Sequence, residues 1–253
     1  MARGPWSSAL PLPCRSVPQS ANRASAAAAV PRHPAPRHVA IIADGNKRWA
    51  TRHGLPVGAG HEAGWDAAKA RVMDAIELGI SELSLFTFST ENWDRPAEEV
   101  HGIMELATRR LASDTPELAE QGVHIRFLGR REELPADLVR QIQLAEQRTE
   151  TNDAITLFLA FNYGGRAEIL DAARRFTEGD EAVFSRCLYA PEMRDPDVMI
   201  RTGGERRLSN FMLWECAYAE LVFREEMWPA FTREALEDSL AEFAARRRRF
   251  GAR

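Results

Sequence analysis

Cysteine and long apolar runs are both scarce in this chain. Its 253 residues include three cysteines, Cys14, Cys187 and Cys216, and no Cys-x-x-Cys pair. That set supplies neither a disulfide framework nor a zinc site, so we expect a reducing compartment. No stretch reaches the roughly 18 consecutive apolar residues of a membrane-spanning helix. We therefore expect a cytoplasmic protein, with any membrane contact peripheral.

Acidic residues are absent from residues 1–37, which carry five arginines and half of the fourteen prolines. A segment of this composition buries little apolar surface, and we expect residues 1–37 to be a disordered N-terminal extension. The rest of the chain carries 28 basic and 37 acidic side chains, a net charge of −9. It lacks the basic field that recruits a polymer of phosphates, which excludes a general nucleic-acid binder.

Strand-like and helical patterns alternate from residue 38 onward. Five apolar runs are typical of buried strands: HVAIIA (38–43), ELSLFTFS (82–89), VHIRFLG (123–129), ITLFLAFN (155–162) and DVMIRTG (197–203). Between and after them, apolar residues recur at spacings of three or four, as in Trp65, Ala68, Val72 and Ile76, in Val100, Ile103, Ala107 and Leu111, and in Leu236, Leu240 and Phe243. This alternation predicts an α/β fold with a largely parallel central sheet flanked by helices.

Four of the predicted strands end in polar or glycine-rich segments. These are Asp44-Gly45-Asn46, the segment 89–93 (STENW), the segment 162–166 (NYGGR) and the segment 201–204 (RTGG). Ligands of open parallel sheets bind beyond the carboxyl ends of the strands, so the four segments are expected to converge. Acids, amides, arginines and glycines at one edge indicate a site for an anion with a divalent metal as counter-charge.

The first of these strand ends combines groups of opposite charge. Gly45, followed by a helix that starts near Arg48, would present backbone N–H groups to a diphosphate, with Asn46 and Arg48 as side-chain donors. A carboxylate at Asp44 repels phosphate unless Mg²⁺ lies between them. The alternative for Asp44 is a helix N-cap.

Five sequence blocks carry a family resemblance. They are HVAIIADGNKRWA, GHEAG, FSTENWDRPAEEV, FNYGGR and IRTGGERRLSNFMLWECAYAEL. In order and spacing they resemble the signature blocks of the cis-prenyltransferases, the undecaprenyl diphosphate synthase family, from His38 to Gly251. The resemblance implies a catalytic domain at residues 38–253. It also implies an α/β fold with a hydrophobic tunnel, usual assembly as a homodimer, and Mg²⁺-dependent condensation of isopentenyl diphosphate onto an allylic prenyl diphosphate to form a Z double bond.

The resemblance also assigns roles to residues. Asp44 resembles the aspartate that handles Mg²⁺ and the allylic diphosphate, and Glu220 resembles a further metal ligand. Side chains and backbone expected around the allylic diphosphate are Gly45, Asn46, Lys47, Arg48, Trp49 and His61. Residues expected to hold isopentenyl diphosphate are Arg95, Arg201, Arg207 and Ser209, joined by Arg249 and Gly251 of the terminal Arg-x-Gly, which reaches across the dimer. Ser89 and Asn92 resemble a polar pair implicated in proton removal, and Trp93 resembles the aromatic residue of a mobile loop over the substrates.

Two departures from the family pattern leave other functions open. Val57 stands where relatives carry an arginine beside the allylic diphosphate, and the stretch between Arg166 and Asp197 is short. A short-chain synthase, a terpene synthase or an irregular-coupling enzyme on the same fold is the first alternative, and a non-catalytic accessory subunit is the second. The absence of a DDxxD motif excludes the all-α trans-prenyl synthases.

The tunnel is expected to set the length of the product. Its predicted walls are Thr87, Ile155, Leu157, Leu159 and the helical face from Val100 to Leu111. Trp65 lies on an apolar helical stripe and is assigned to the core.

Overall fold

The structure is a computed structural model that describes residues 36–246. Six strands and seven helices follow one another in these residues. The strands are β1 (His38–Ile42), β2 (Glu82–Ser89), β3 (Val123–Leu128), β4 (Ile155–Tyr163), β5 (Val198–Arg201) and β6 (Glu220–Phe223). The helices are α1 (Asn46–Arg52), α2 (Val57–Glu77), α3 (Ala97–Glu120), α4 (Ala136–Thr149), α5 (Gly165–Arg175), α6 (Glu181–Ser185) and α7 (Arg233–Ala245).

The strands form one sheet in the order β3-β4-β2-β1-β5-β6, and every neighbouring pair is parallel. All five predicted strands are confirmed, as is the parallel α/β architecture. The sequence analysis missed β6, which has only four residues and stands at the sheet edge beside β5. So short a run gives no measurable periodicity of two.

Alternate residues of each strand supply two separate cores. Val39 and Ile41 of β1 face a large apolar cluster formed with α2, α3, α4 and α7. Ala40 and Ile42 of the same strand face a second cluster with Phe211 and the segment that follows β5. Side chains of a strand point alternately to its two faces, so a strand covered on both faces is apolar throughout. The predicted stripes on α2, α3 and α7 pack against the first cluster.

The turn from β1 into α1 differs from the expected one. Helix α1 begins at Asn46, two residues before Arg48, and its N-cap is Gly45. The Asp44 side chain therefore does not cap this helix. Gly45 has a φ of 116°, and a Cβ atom there would lie 2.8 Å from the Met227 Cβ. Only glycine combines this backbone conformation with such close packing.

Two glycines of the GHEAG block, Gly60 and Gly64, allow α2 to approach α1. A Cβ atom on Gly60 would lie 2.2 Å from the Asn46 carbonyl oxygen. A Cβ atom on Gly64 would lie 2.5 Å from the Asn46 side-chain oxygen. The glycines thus fix α1, and with it Asn46, against the side of α2. The Trp228 indole N–H donates to the Gly64 carbonyl oxygen and closes this corner.

Some expectations lie outside the described residues. These are the N-terminal extension up to residue 35 and the roles of Arg249 and Gly251. Between residues 36 and 246, no helix is both long enough and apolar enough to cross a membrane.

Candidate active site

The carboxyl ends of β2, β1 and β5 surround an open basin of about 730 Å³. Most of the predicted site residues line it, namely Asp44, Gly45, Asn46, Lys47, Arg48, His61, Ser89, Asn92, Arg95, Arg201, Arg207 and Ser209. These residues come from five separate stretches of the chain. The predicted convergence of strand ends therefore holds for the first, second and fifth predicted strands.

Two guanidinium groups hold the Asp44 carboxylate. Arg48 Nη2 lies 3.0 Å from Oδ1, and Arg201 Nη2 lies 3.0 Å from Oδ2. Arg48 also donates to the Gly203 carbonyl oxygen at 2.7 Å. The Gly203 φ is 82°, and a Cβ atom there would meet Arg48 at 2.7 Å, so the arginine lies directly against the glycine backbone. The result is one carboxylate with a cation on either side.

Arg201 is the most deeply placed cation of the basin. Its side chain is 5% exposed. It donates to the Ser209 hydroxyl at 2.7 Å and to the Arg207 carbonyl oxygen at 2.5 Å. Its Nε is buried and has no hydrogen-bond partner among the described residues. A buried donor without a partner is costly, so this part of the basin favours an acceptor such as a phosphate oxygen.

The segment after β5 has a strained backbone that presents its side chains to the basin. Gly203 and Gly204 have positive φ angles, and so do Ser209 and Asn210, at 48° and 65°. Non-glycine residues rarely adopt this conformation unless their surroundings enforce it. The Arg201 hydrogen bonds hold the segment from within. Arg207 remains about 60% exposed, and its one ion pair within residues 36–246 is with Glu205 at 2.5 Å.

Glu99, at the start of α3, contacts three of the predicted substrate-binding residues at the rim of the basin. Its carboxylate lies 3.4 Å from Lys47, 3.4 Å from His61 and 3.0 Å from Arg95. Burial acts to raise the Glu99 pKa, but Arg95, His61 and Lys47 together hold it below its ordinary value. Burial lowers the His61 pKa despite its hydrogen bond to Glu99. His61 is therefore neutral at pH 7, and Glu99 is charged.

The sequence analysis did not single out Glu99, although it lies within the FSTENWDRPAEEV block. One signal was available, since Glu99 follows Arg95 by four residues, a spacing at which opposite charges pair on a helix. Its contacts with Lys47 and His61 join segments far apart in sequence.

Ser89 and Asn92 lie at the end of β2 and interact with each other. The Ser89 backbone N–H donates to Asn92 Oδ1 at 3.1 Å, and the Ser89 side chain accepts from the Asn92 backbone. The pair forms a capping box for the short 3₁₀ helix Thr90–Asp94. Because this capping fixes both side chains in the basin wall, the pair is positioned before any ligand binds.

The fourth strand end does not line the basin, contrary to expectation. None of residues 162–166 is among the basin residues. Asn210 instead links this segment to the site, because its carbonyl oxygen accepts from the Gly165 N–H at 2.7 Å and its amide donates to Glu91 at 2.7 Å. A Cβ atom on Gly164 would lie 2.7 Å from the Asn210 amide nitrogen. The FNYGGR block thus supports the segment after β5 rather than the ligand.

Three further predicted residues lie away from the basin. Trp49 packs on His53, with ring centroids 4.3 Å apart. Trp93 donates to Asn162 at 2.8 Å and packs edge-on against Phe88, so it is anchored in this structure. Glu220 opens β6 in register with Val198, so it lies at the amino ends of the parallel strands whereas Asp44 lies at the carboxyl ends, and it pairs with Arg246 at 3.0 Å. Within one chain, Glu220 and Asp44 are not brought together.

An apolar channel leads from the basin between the sheet and helices α2 and α3. Its outer cavity, about 60 Å³, touches Asn46, His61, Ile103 and Leu106. Its inner cavity, about 40 Å³, touches Val72, Leu111, Leu157 and Leu159. Thr87 lines the basin and both cavities, and it is exposed although it stands in a central strand. Most of the predicted walls are present, but Ile155 lines neither cavity.

The donor set at Asp44 is compatible with Mg²⁺. Asp44 offers a carboxylate about 27% exposed, and Asn46 Oδ1 is buried without a hydrogen-bond partner among the described residues. No three acidic, histidine or cysteine side chains cluster as a metal site within residues 36–246. Mg²⁺ typically keeps several waters and binds through one or two carboxylates together with substrate phosphates. Asp44 and Asn46 fit that mode of binding.

Comparison with known proteins places the chain among the prenyl transferases. Residues 42–251 match a prenyltransferase family model described as undecaprenyl diphosphate synthase. An isoprenyl transferase of Caulobacter vibrioides is 46% identical over 225 residues, covering 85% of this chain and 87% of that protein. The ditrans,polycis-undecaprenyl-diphosphate synthase ((2E,6E)-farnesyl-diphosphate specific) of Pseudomonas syringae is 44% identical over 227 residues, covering 85% and 90%.

A solved structure extends the similarity to three dimensions. Lavandulyl diphosphate synthase of Lavandula x intermedia, crystallised with dimethylallyl diphosphate, is 35% identical. It superposes with a TM-score of 0.83 over 86% of this chain and 99% of that one. Together with the family model and these relatives, the parallel sheet with its basin identifies a prenyl transferase. The chain belongs to the cis-prenyltransferase family of undecaprenyl diphosphate synthases, as its sequence blocks indicated.

Proposed function

We propose that this enzyme condenses isopentenyl diphosphate with an allylic prenyl diphosphate, in the presence of Mg²⁺, to form a Z-configured polyprenyl diphosphate. The observation that carries the proposal is the Asp44 carboxylate held between Arg48 and Arg201. Each guanidinium lies in a separate cationic region of the same basin, and each region could bind one diphosphate. The relatives named above, an isoprenyl transferase and a farnesyl-diphosphate-specific synthase, support this reading.

We assign the allylic diphosphate to the region of Arg48, Asn46 and His61. This region adjoins the outer cavity, which Asn46 and His61 also line. A diphosphate bound there would place its hydrocarbon tail in the apolar channel. Asp44 and Asn46 Oδ1 would hold Mg²⁺ there, and the ion would supply positive charge that stabilises the leaving diphosphate.

We assign isopentenyl diphosphate to the region of Arg201, Arg207 and Ser209. The unpartnered Arg201 Nε and the exposed Arg207 provide donors for its phosphate oxygens. The two substrates would then meet above the end of β1, with their reacting carbons between the two regions. Holding both in one geometry removes much of the entropic barrier of a two-substrate reaction.

The proposed condensation breaks one C–O bond, forms one C–C bond and releases one proton. The allylic C–O bond breaks and its electron pair leaves with the diphosphate, while the terminal double bond of isopentenyl diphosphate supplies the pair for the new C–C bond. A proton is lost from the neighbouring carbon and passes to the released diphosphate. Ser89 and Asn92, fixed by their capping box, orient the carbon that loses it, and the apolar channel keeps water from the electron-deficient allylic carbon.

A short-chain synthase, a terpene synthase or an irregular-coupling enzyme is the second candidate, favoured by two observations. The channel cavities of about 60 and 40 Å³ are narrow. The solved lavandulyl diphosphate synthase contains dimethylallyl diphosphate, and it superposes with a TM-score of 0.83. The homodimer and peripheral membrane contact remain our proposals, and an accessory role is less favoured because Asp44, Arg48 and Arg201 are assembled in one basin.

Purified protein with Mg²⁺, labelled isopentenyl diphosphate and geranyl, farnesyl or geranylgeranyl diphosphate separates these functions. Incorporation of label into longer diphosphates supports chain elongation. A labelled diphosphate extended by only one or two units supports a short-chain synthase, and a hydrocarbon, an alcohol or a branched diphosphate from an allylic substrate alone supports terpene synthesis or irregular coupling. Absence of turnover with every substrate, in protein that binds them, would indicate an accessory subunit.

A further inference from the structure

Trp65 stands between the two cavities of the apolar channel. It lines the outer cavity and the inner cavity, together with Ala68, Leu85 and Thr87. Trp65 and Ala68 are only partly buried, although they lie on the face of α2 that packs against the sheet and α3. The assignment of Trp65 to the core is therefore incomplete, because its indole is also a wall of the channel.

A hydrogen bond fixes the indole across the channel. Trp65 Nε1 on α2 donates to Asp114 Oδ2 on α3 at 2.9 Å. Asp114 is 7% exposed and lies 3.6 Å from Lys69 and 3.5 Å from Arg110. Lys69 and Arg110 hold this buried carboxylate in place, so the indole N–H has an acceptor in a fixed position. Rotating the indole out of the channel therefore costs the hydrogen bond.

The space on either side of the indole is small. An apolar cavity of about 150 Å³ holds a benzene-sized molecule. A five-carbon isoprenoid unit is close to that size, whereas the cavities measure about 60 and 40 Å³. A prenyl tail that enters from the basin must therefore widen both cavities, and Trp65 is the largest of the side chains that line both.

We propose that Trp65, positioned by Asp114, is the residue at which a growing prenyl tail stops. The inference rests on the proposed function, since it concerns the tail of the same allylic substrate. It favours the short-chain form of the second candidate function and names the side chain that limits product length. Trp65 determines specificity and takes no part in bond making.

Product analysis provides the first test. Labelled isopentenyl diphosphate is supplied with geranyl or farnesyl diphosphate, and the products are separated by length and weighed by mass spectrometry. Trp65→Ala is expected to lengthen the main product by at least one isoprenoid unit, and Ala68→Leu to shorten it. Ile76→Ala is the matched control, because Ile76 lies on the same apolar stripe of α2, packs against the core and lines neither cavity.

Two conservative variants separate positioning from volume. Trp65→Phe removes the indole N–H and keeps an aromatic ring, so a mixture of product lengths is expected. Asp114→Asn keeps an acceptor for the indole, and product length is expected to stay as in the wild type. These variants retain most of the core packing and remain informative where Trp65→Ala is too unstable to purify.

A binding measurement tests the inference without turnover. Calorimetry with non-reacting thiodiphosphate analogues of geranyl, farnesyl and geranylgeranyl diphosphate gives the affinity as a function of tail length. The geranylgeranyl analogue is expected to bind Trp65→Ala at least about tenfold more tightly than wild type, a difference of about 1.4 kcal/mol, and the geranyl analogue about equally. An unchanged dependence on tail length in Trp65→Ala would overturn the role of Trp65. Loss of condensation in the wild type would overturn the proposed function alone.

Discussion

Asp44 Oδ2 lies 3.0 Å from Arg201 Nη2, which joins the carboxyl ends of two neighbouring strands, β1 and β5. The pair spans 157 residues of sequence. Its geometry makes Asp44 the boundary between the two cationic regions of the basin, with Arg48 on the other side. Removal of any one of these three side chains therefore changes the electrostatic potential at the other two.

Asp44→Ala is expected to abolish turnover while the fold remains intact. The carboxylate lies at a partly exposed strand end, so its loss leaves no cavity in either core. We expect kcat/KM to fall by about 100-fold or more, or at least ~2.7 kcal/mol of transition-state stabilisation. Steady-state kinetics and circular dichroism measure both effects, and Asp153→Ala, an exposed position outside the basin, is the control. Activity above about a tenth of wild type contradicts the role of Asp44.

Arg207→Ala is expected to raise the KM for isopentenyl diphosphate and leave that for the allylic substrate nearly unchanged. Arg207 is about 60% exposed and, in the part of the chain that the structure describes, forms an ion pair with Glu205 alone, so the substitution should not disturb folding. Loss of a hydrogen bond to a charged group corresponds to roughly 1.5–3 kcal/mol, or about a 10- to 150-fold rise in KM. Arg206→Ala is the matched control, since Arg206 is also exposed, at about 74%, and does not line the basin. Equal effects on both substrates would show that the two regions are assigned wrongly.

The sequence predicted the strands and most of the basin for a physical reason. Parallel strands place their carboxyl ends at one edge, so polar segments that follow apolar runs must converge there. Asp44, Ser89 and Arg201 meet for this reason. The rule failed for residues 162–166, because β4 lies beyond β2 from the basin and its end is used to hold Asn210.

Contacts between helices could not be predicted in the same way. Glu99 meets Lys47 across 52 positions, and Trp65 meets Asp114 across 49. Each pair depends on how two helices are rotated against each other, which the periodicity of either helix does not specify. The stripe containing Trp65 identified its buried face but not the cavities on both sides of the indole.

Val57→Arg is expected to tighten binding of the allylic diphosphate. Val57 opens α2 and lines a cleft of about 600 Å³ that shares Lys47, His61 and Glu99 with the basin. A guanidinium there either reaches the diphosphate or pairs with Glu99 and releases Lys47 toward it. Both routes add one positive charge near the phosphate, and the allylic KM should fall by about tenfold or more. Val57→Met lengthens the side chain without charge and serves as the control; a tightening as large with Met as with Arg would exclude a charge effect.

Glu215→Gln is expected to make the protein more stable at alkaline pH. Glu215 is 4% exposed, and burial, reinforced by the Glu168 carboxylate, raises its pKa well above the ordinary value. Tyr163 and Asp195 lie close to the same group, and Arg175 acts on Glu168. The folded state thus binds a proton that the unfolded state has already released above the ordinary carboxyl pKa.

The free energy of unfolding of the wild type should therefore fall as the pH rises from the ordinary carboxyl pKa through the raised pKa of Glu215. Glutamine has the same shape and does not ionise, so this loss should vanish in the variant. We expect a gain of at least about 1 kcal/mol at pH 9, or roughly 2–4 °C in Tm, and a smaller gain at pH 5. Thermal unfolding across this range measures it, with Glu120→Gln on the exposed side of α3 as the control. An equal Tm change at both pH values would mean that ionisation of Glu215 does not contribute to the pH dependence of stability.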